Sequence, residues 1–586
     1  MKYGVVAEHF ERLEATTKRL EMFDILSELF KKTPQEDVDK LVYIIQERLR
    51  PAFEGVEIGM ADKMLEKAIA RATGTDLKRV KELYKKKGDL GLVAEELSGK
   101  QTHKLVKPKE LTLADVYNGF LEVAKVSGSG AVDKKVSIIT GLLSRAAPKE
   151  AKYVSRFVIG RLRLGIGDPT IMDSLAKAKT GERKLRPELE RAYNLCSDLG
   201  LVAQTFFAKG IKGIEKFEVV PGKPIRMALA ERLPSPKEIV EKIGKASIEN
   251  KYDGFRLQCH KIGDKVFLFS RNLENMTHMF PDIVDSIKKY VKAKDAIIEG
   301  EALVYNEDTG ELMPFQVTIT RKRKYEIEAK KKELPLKLFV FDVLYIDGKD
   351  YTQEPYSERI KAIEKYVKTG EALEHAKRII TDEPAKIQKF FDESVSAGLE
   401  GVMAKRLDAP YSAGARNFNW IKLKRSYKGE LADTIDIVIV GYLKGKGMRA
   451  AFGIGAVLGA VYNDKKDVFE TIAKVGSGFS EEKWVELRKM LDDISVKHKP
   501  ARVDSLITPD VWVEPKYVIE VTADEITLSP MHTAGKHGDE SGFALRFPRA
   551  KSFIREDKKA EDATTVKEIE KMFKLQKHVG SKPGEA

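Results

Sequence analysis

The sequence is poor in cysteine: 586 residues carry only Cys196 and Cys259. Two thiols cannot build a four-cysteine zinc site or a disulfide framework, so each reads as a small buried hydrophobe. Long apolar runs are missing as well, which argues against a membrane span. The opening "MKYGVVAEHFERLEATTKRL" mixes acids with bases and holds no signal-peptide core, so the expected location is the cytosol. A G-x-x-x-x-G-K-[ST] loop is absent, so a triphosphate is not held in P-loop fashion, and no H-E-x-x-H pair offers a zinc site. No fixed-period repeat occurs, which argues against a helical solenoid.

What is present is an ordinary folding composition, 42% hydrophobic and 33% charged, over a length that suits about three domains. The formal net charge is +14, with a pI near 9.2. An excess of that size points to a polyanionic partner, of which nucleic acid is the commonest.

Residues 1–215 read as helical. Met22, Ile25, Leu26, Leu29 and Phe30 fall on one face of a 3.6-residue period. Thr33, Pro34 and Glu36 read as a helix start, with a cap, a first-turn proline and a capping-box acid. Further helices are expected near Leu113, Val136 and Pro187, with a loop at 125–131. A Gly/Pro-rich break covers 209–236. Residues 216–427 then alternate short β-rich runs such as "KVFLFSRN", "AIIEGEALVYN" and "LKLFVFDVLYIDG" with helical stretches, the pattern of an α+β domain. Residues 428–586 are more strongly β and carry glycines suited to bends, which fits a small Greek-key barrel of OB type followed by one helix. The tail "GSKPGEA" is expected to fray.

One stretch concentrates unusual chemistry. "IENKYDGFRLQ" (248–258) places a lysine, an aspartate and an arginine within six positions of a strand-like segment. A lysine that attacks a nucleoside triphosphate must lose its proton, and nearby cations and desolvation help it do so. Cations must spread over the phosphoryl oxygens, carboxylates must hold a divalent metal, and an aromatic face should meet the base. The β-rich segments supply such a set in order: "KYDGFR" from Lys251, "SRN" with Arg271, "EGE" at 299–301, "FVFD" with Phe341, "EGVMAK" from Glu400 to Lys405, "RNFNWIKLK" with Arg416, Lys422 and Lys424, and "REDK" at 555–558. Singly most of these mean little, since each is more often a turn or a solvated strand. In order they answer every stated need.

This ordered set resembles the nucleotidyltransferase motifs of ATP-dependent DNA ligases of the archaeal and eukaryotic replicative type. "RLRLGIGDPTIMDSLA" and "PGKPIRMALAERL" resemble that family's helical DNA-binding domain and its junction, so the resemblance covers nearly the whole chain. It implies an all-α DNA-binding domain, an α+β nucleotidyltransferase core of ATP-grasp-like type and a C-terminal OB-fold β-barrel. It implies Lys251 as the nucleophile that takes AMP, with Glu249, Arg256, Arg271, Glu301, Phe341, Arg416, Lys422 and Lys424 binding the nucleotide. Phe341 would stack on adenine, and Arg555, Asp557 and Lys558 would orient pyrophosphate. Glu301 and Glu400 would hold the metal, and Asp253 would serve the metal or the nicked strand. The implied cofactors are ATP and magnesium, with manganese as an alternative. The implied partners are nicked duplex DNA and, as a candidate, a sliding clamp, for a monomeric chain.

The run from "RFPR" to "REDK" carries a lysine among its apolar residues, which leaves open how Arg546, Arg549 and Arg555 divide the phosphate roles. Trp420 reads as packing, Lys405 as a solvated cation, and "RKRKYEIEAKKK" (321–332) as a basic solvated helix. Two rivals stand beside the ligase reading. One is an RNA ligase or capping guanylyltransferase, which would not need the helical domain. The other is a DNA-binding scaffold with a dead pocket.

Overall fold

The computed structural model describes residues 1–16, 18–100, 110–305, 312–313, 315–318, 321, 331, 333–424, 434–445, 453–538 and 540–579. From Tyr3 to Ile214 the described chain is helical and packs on one core centred on Phe10, Leu26, Phe30, Phe120, Tyr153 and Phe206. The five apolar residues of one helical face, Met22 to Phe30, are all buried in helix Arg19–Lys32. Helices also occupy Leu113–Lys125, Ala131–Arg145 and Arg186–Cys196, and both cysteines are buried. The expected start at Thr33 differs. A 3-10 turn, Gln35–Asp37, precedes helix Val38–Ile45, so Thr33 is beyond reach of that helix's first free N–H groups. Its hydroxyl instead donates to the Leu29 carbonyl at 2.7 Å, closing the preceding helix.

A buried ionic cluster ties this region together. Arg156, 2% exposed, donates to Asp89 at 2.7 Å and to Glu14 at 2.8 Å, and Lys152 and Arg163 join the same two acids.

The middle of the chain forms two sheets. One contains β1 (Leu229–Arg232), β2 (Ala246–Lys251), β9 (Arg378–Thr381), β10 (Gly401–Arg406) and β11 (Arg416–Lys424), ordered β1-β11-β10-β2-β9. The other contains β3 (Phe255–Ile262), β4 (Lys265–Ser270), β5 (Asp295–Val304), β6 (Leu336–Ile346) and β7 (Lys349–Asp350), ordered β4-β3-β5-β6-β7, with β8 (Leu373–His375) on β6. The expected basic segment at 321–332 falls almost entirely outside the described residues. Arg321, which is described, is 1% exposed and bonded to Asp282 at 2.9 Å, so it is a buried ion-pair partner and not part of a solvated face.

The strap from Ile214 to β1 is stitched to one face of β3. Residues 256, 258 and 260 share that face because side chains alternate along a strand. The Gly222 N–H donates to His260 Nδ1 at 2.9 Å. Gln258 accepts from the Ile225 N–H at 2.7 Å and donates to the Ile225 carbonyl at 3.0 Å. Arg256 donates to the Ala228 carbonyl at 2.6 Å.

The C-terminal part is built on a sheet that includes Ile435–Leu443, Ala456–Asn463, Val468–Val475, Val518–Thr522 and Arg549–Ile554, and it ends in helix Val566–Val579. It touches the helical region through Arg19–Asp467 at 2.7 Å and Arg161–Asp493 at 3.1 Å. It touches the middle through Arg271–Asp562 at 3.0 Å and Lys567–Glu231 at 3.1 Å. Among the described residues no helix is long and apolar enough to cross a membrane.

Arg156→Ala leaves Asp89 and Glu14 with a lost partner in a buried setting, at a cost of about 3–5 kcal/mol. All three tryptophans (Trp420, Trp484 and Trp512) lie outside the helical region. In a denaturant titration the dichroism midpoint should therefore fall further than the tryptophan-fluorescence midpoint. Lys184→Ala, at a side chain 84% exposed, should move neither by more than about 0.5 kcal/mol.

Candidate active site

β10 sits between β2 and β11, and the register aligns Lys251 with Gly401 and Lys424, and Glu249 with Met403 and Lys422. Period-two alternation turns Lys251, Lys422 and Lys424 to one face and sends Ile248, Val402, Ile421 and Leu423 into the core behind it. The facing wall comes from the second sheet, where Arg256 pairs in register with Glu301 and Phe341 projects from β6. Two glycines permit the close approach. A Cβ on Gly254 would lie 2.3 Å from the Ala302 carbonyl oxygen. Without one, the Gly254 N–H reaches Glu301 at 3.2 Å. Gly401 has φ +142°, and a Cβ there would meet the Leu423 carbonyl oxygen at 2.2 Å.

Between the sheets lies a cavity of about 250 Å³, roofed by the C-terminal part. Every residue expected at the nucleotide lines it: Lys251, Glu249, Arg256, Arg271, Glu301, Phe341, Glu400, Arg416, Lys422, Lys424, Arg555, Asp557 and Lys558, together with Asp253. Of the three arginines whose parts were open, only Arg555 faces this cavity; Arg546 and Arg549 are exposed elsewhere.

The charges are densely coupled. Lys251 pairs with Glu400, which also meets Lys424 at 3.5 Å. Burial alone would push Lys251 down, but Glu400 and Asp253 outweigh it and hold the ammonium above its ordinary range. Burial works against Glu400 too, yet Lys251 and Lys424 hold its carboxyl far below the usual value. Burial raises Glu301 to about 7, and burial with the Glu400 charge raises Asp253. Burial lowers Lys422 to about 7 and also lowers Lys424. A cleft that holds two carboxylates, Glu301 and Asp253, reluctantly ionised is suited to a cation. Among the described residues no three metal-ligating side chains form a cage of their own. An oxygen-only donor set of one or two carboxylates matches a hard divalent ion that takes its remaining ligands from phosphates and water.

Lys405 is not solvated. It is 2% exposed, pairs with Glu249 at 2.9 Å, and holds its ammonium 4.4 Å from the Phe341 ring centre and 4.3 Å from that of Trp420. The strand alternation that faces Lys251 into the cleft does the same for Lys405, on β10. Trp420 packs edge-on to Phe341. Glu249 also bonds Tyr356, so its side chain belongs to this buried network.

One participant is not evident from the motifs. Glu568, at the start of the last helix, meets Lys422 at 2.8 Å and Arg416 at 3.1 Å with one carboxylate oxygen. With the other it accepts from the Thr565 N–H at 2.9 Å and hydroxyl at 3.0 Å. The signal that could have found it is the T-x-x-E spacing of a capping box. Lys422 and Arg416 outweigh burial and hold Glu568 well below its ordinary range, so it stands ionised among the cavity's cations.

Family models agree with this layout. Residues 2–176 match the DNA ligase N terminus, 227–424 the ATP dependent DNA ligase domain, and 450–558 the ATP dependent DNA ligase C terminal region. A protein named probable DNA ligase from Dictyoglomus thermophilum is 51% identical over 577 residues, 98% of each chain. The chain belongs to the ATP-dependent DNA ligases. A DNA ligase from Staphylothermus marinus is 47% identical over 597 residues, 98% of this chain and 99% of that one. The ligase therefore seals nicks in DNA at the expense of ATP, and both rival readings fall away.

In the nucleotide-free ligase, Glu400→Gln removes the anion that keeps Lys251 protonated. The Lys251 pKa should fall, the free-amine fraction at pH 8 should rise, and acylation of Lys251 by an amine reagent should speed up several-fold, as read by peptide mass spectrometry. An unchanged or slower rate would contradict the ion pair.

Proposed function

We propose that the ligase works through a lysyl-AMP intermediate on Lys251, and the observation that carries this is the convergence of Lys251, Lys422, Lys424, Glu400 and the 555–558 segment on one cavity. Lys251, freed from Glu400, attacks the α-phosphate of ATP, and pyrophosphate leaves. AMP then passes to the 5′-phosphate of the nick. The adjacent 3′-hydroxyl attacks that phosphate, and AMP departs.

Lys422 and Lys424, with Arg416 beside them, face the α-phosphate, which takes the place of Glu568 on Lys422 and Arg416. Arg256 and Arg271 serve the ribose and phosphate side. Glu249 meets the adenine side through its backbone, and Phe341 offers the stacking face. Arg555, Asp557 and Lys558 orient the leaving pyrophosphate. Glu301 and Glu400 would hold a magnesium ion, which when bound neutralises charge on the phosphoryl oxygens. Asp253 lies beside them. The raised carboxyls of Glu301 and Asp253 support a cation at Glu301, which would relieve them; Glu400 would turn to it once Lys251 is released.

Domains at 1–215, 216–427 and 428–586 fit these roles: a helical clamp on DNA, the adenylation core and an OB-fold barrel. The substrate is nicked duplex DNA, gripped through phosphates and without regard to sequence. The barrel must undock between steps, since the 555–558 segment closes the cavity that the nick has to reach. A monomer acting in the cytosol, with a sliding clamp as a candidate protein partner, completes the proposal.

Lys251→Ala should form no covalent adenylate by mass spectrometry, yet should still seal pre-adenylated nicks to some extent. Normal self-adenylation of that variant would remove Lys251 as the nucleophile. Nick binding should weaken by orders of magnitude between about 50 and 200 mM salt. A flat salt profile in a filter-binding titration would exclude a phosphate-dominated grip.

A further inference from the structure

A second cavity, of about 600 Å³, opens where the helical region, the strap and the C-terminal part meet. It shares Leu229, Arg271, Asn272 and Arg416 with the nucleotide cavity, so the two lie on either side of a common wall. Its charge is lopsided. Asp168 accepts from Gln46 at 2.7 Å, from Tyr193 at 2.8 Å and from Arg226 at 3.2 Å, and Arg226 lies over the Tyr193 ring at 4.6 Å. Arg226, Lys559 and Arg48 all act on that one carboxylate. Arg48 and Lys559 form no ion pair among the described residues. Burial, then Arg48 and Arg226, push the Lys559 ammonium down to about 8. Of the other acids on the wall, Asp562 is paired with Arg271 at 3.0 Å and Glu561 with Arg502 at 2.7 Å, while burial raises the carboxyls of Glu47 and Glu514, the latter to about 7. Around Asp168 itself, three cations meet one carboxylate.

We propose that this cavity is a receiving site for inorganic pyrophosphate, built by Arg48, Arg226 and Lys559 from three parts of the chain. The proposal rests on the adenylation reading above. In that step the Lys251 amine donates its lone pair to the α-phosphorus. The P–N bond forms as the bond from the α-phosphorus to the bridging oxygen breaks, and that electron pair leaves on pyrophosphate. The proton lost by the amine passes to water. The leaving group is a polyanion, and it emerges beside Lys558, which lines the nucleotide cavity. Lys559, the next residue, lines the second cavity. Arg271 and Arg416 stand on the shared wall. The second cavity exists only while the C-terminal part is docked on the helical region, as in the Arg19–Asp467 contact. That is also the arrangement in which the 555–558 segment faces Lys251. Undocking for the later steps would dismantle the site and release its occupant, so reversal by pyrophosphate is confined to the docked arrangement.

The test uses full-length adenylated protein without DNA. Inorganic pyrophosphate is titrated, and the return of ATP and loss of the adenylate are followed by mass spectrometry. Arg48→Ala and Lys559→Ala should each raise the half-saturating pyrophosphate about tenfold, the scale of one charge-assisted contact. Asp168→Asn should lower it, an opposite sign that mere destabilisation does not produce. An unchanged half-saturation in the two cation variants overturns the proposal, as does an Asp168→Asn shift in the same direction as theirs. If only nicked-DNA affinity changes, the cations serve DNA phosphates, and the proposal fails as well. Absence of adenylate in the unsubstituted protein is a separate result, which would sink the adenylation reading itself.

Discussion

Crowded positive charge in a half-buried cleft is the constraint around which the rest is arranged. Lys251, Lys422 and Lys424 stand on the two strands that flank β10, with Arg416, Arg271, Arg555 and Lys558 around them. Without a nucleotide such a group repels itself, and burial adds a desolvation cost. The chain answers with carboxylates. Glu400 serves Lys251 and Lys424, Glu568 serves Lys422 and Arg416, and Asp562, Asp557 and Asp436 serve Arg271, Arg555 and Lys558. Glu568 and Asp562 come from the C-terminal part, so neutralising the pocket and docking that part are one electrostatic event. Arriving phosphates would exchange one set of anions for another, which costs far less than filling an apolar pocket with bare charge.

The sheet registers explain why such scattered residues meet. Lys251 and Lys424 are far apart in sequence, yet both sit opposite Gly401. The two-residue repeat then presents Lys422 and Lys424 together and keeps Leu423 behind them. Small shifts in register would send the whole cationic set into the core. The glycines at 254 and 401 protect that alignment, since backbone atoms occupy the space a side chain would need.

Much of this could be read from residue order alone. The chemical demands on an attacking lysine selected segments that do line one cavity, and the helical face from Met22 to Phe30 followed from its period. What escaped has a common cause. Lys405 looks like any surface lysine until the strand alternation and the ring of Tyr356, Phe341 and Trp420 around it are known. Thr33 has the right type for a cap, but a short 3-10 turn decides otherwise. Glu568 lies in a polar helix start whose local spacing was visible, while its contacts span more than 140 residues of sequence. Local patterns report local geometry; pairing between distant parts depends on how the parts dock.

The stitched strap has a mechanical meaning. Because His260, Gln258 and Arg256 fasten Gly222, Ile225 and Ala228 to β3, this connector belongs to the catalytic body and is no free tether. Upstream of the fastened stretch, the helix breaks at Gly210 with φ +61°, and Arg191 holds the carbonyls of Ile214, Glu215 and Phe217 to the helical region. The first fastening, at Gly222, lies only a few residues before β1, which belongs to the sheet that carries Lys251, so a turn of the helical region about that break would leave the registers of that sheet undisturbed.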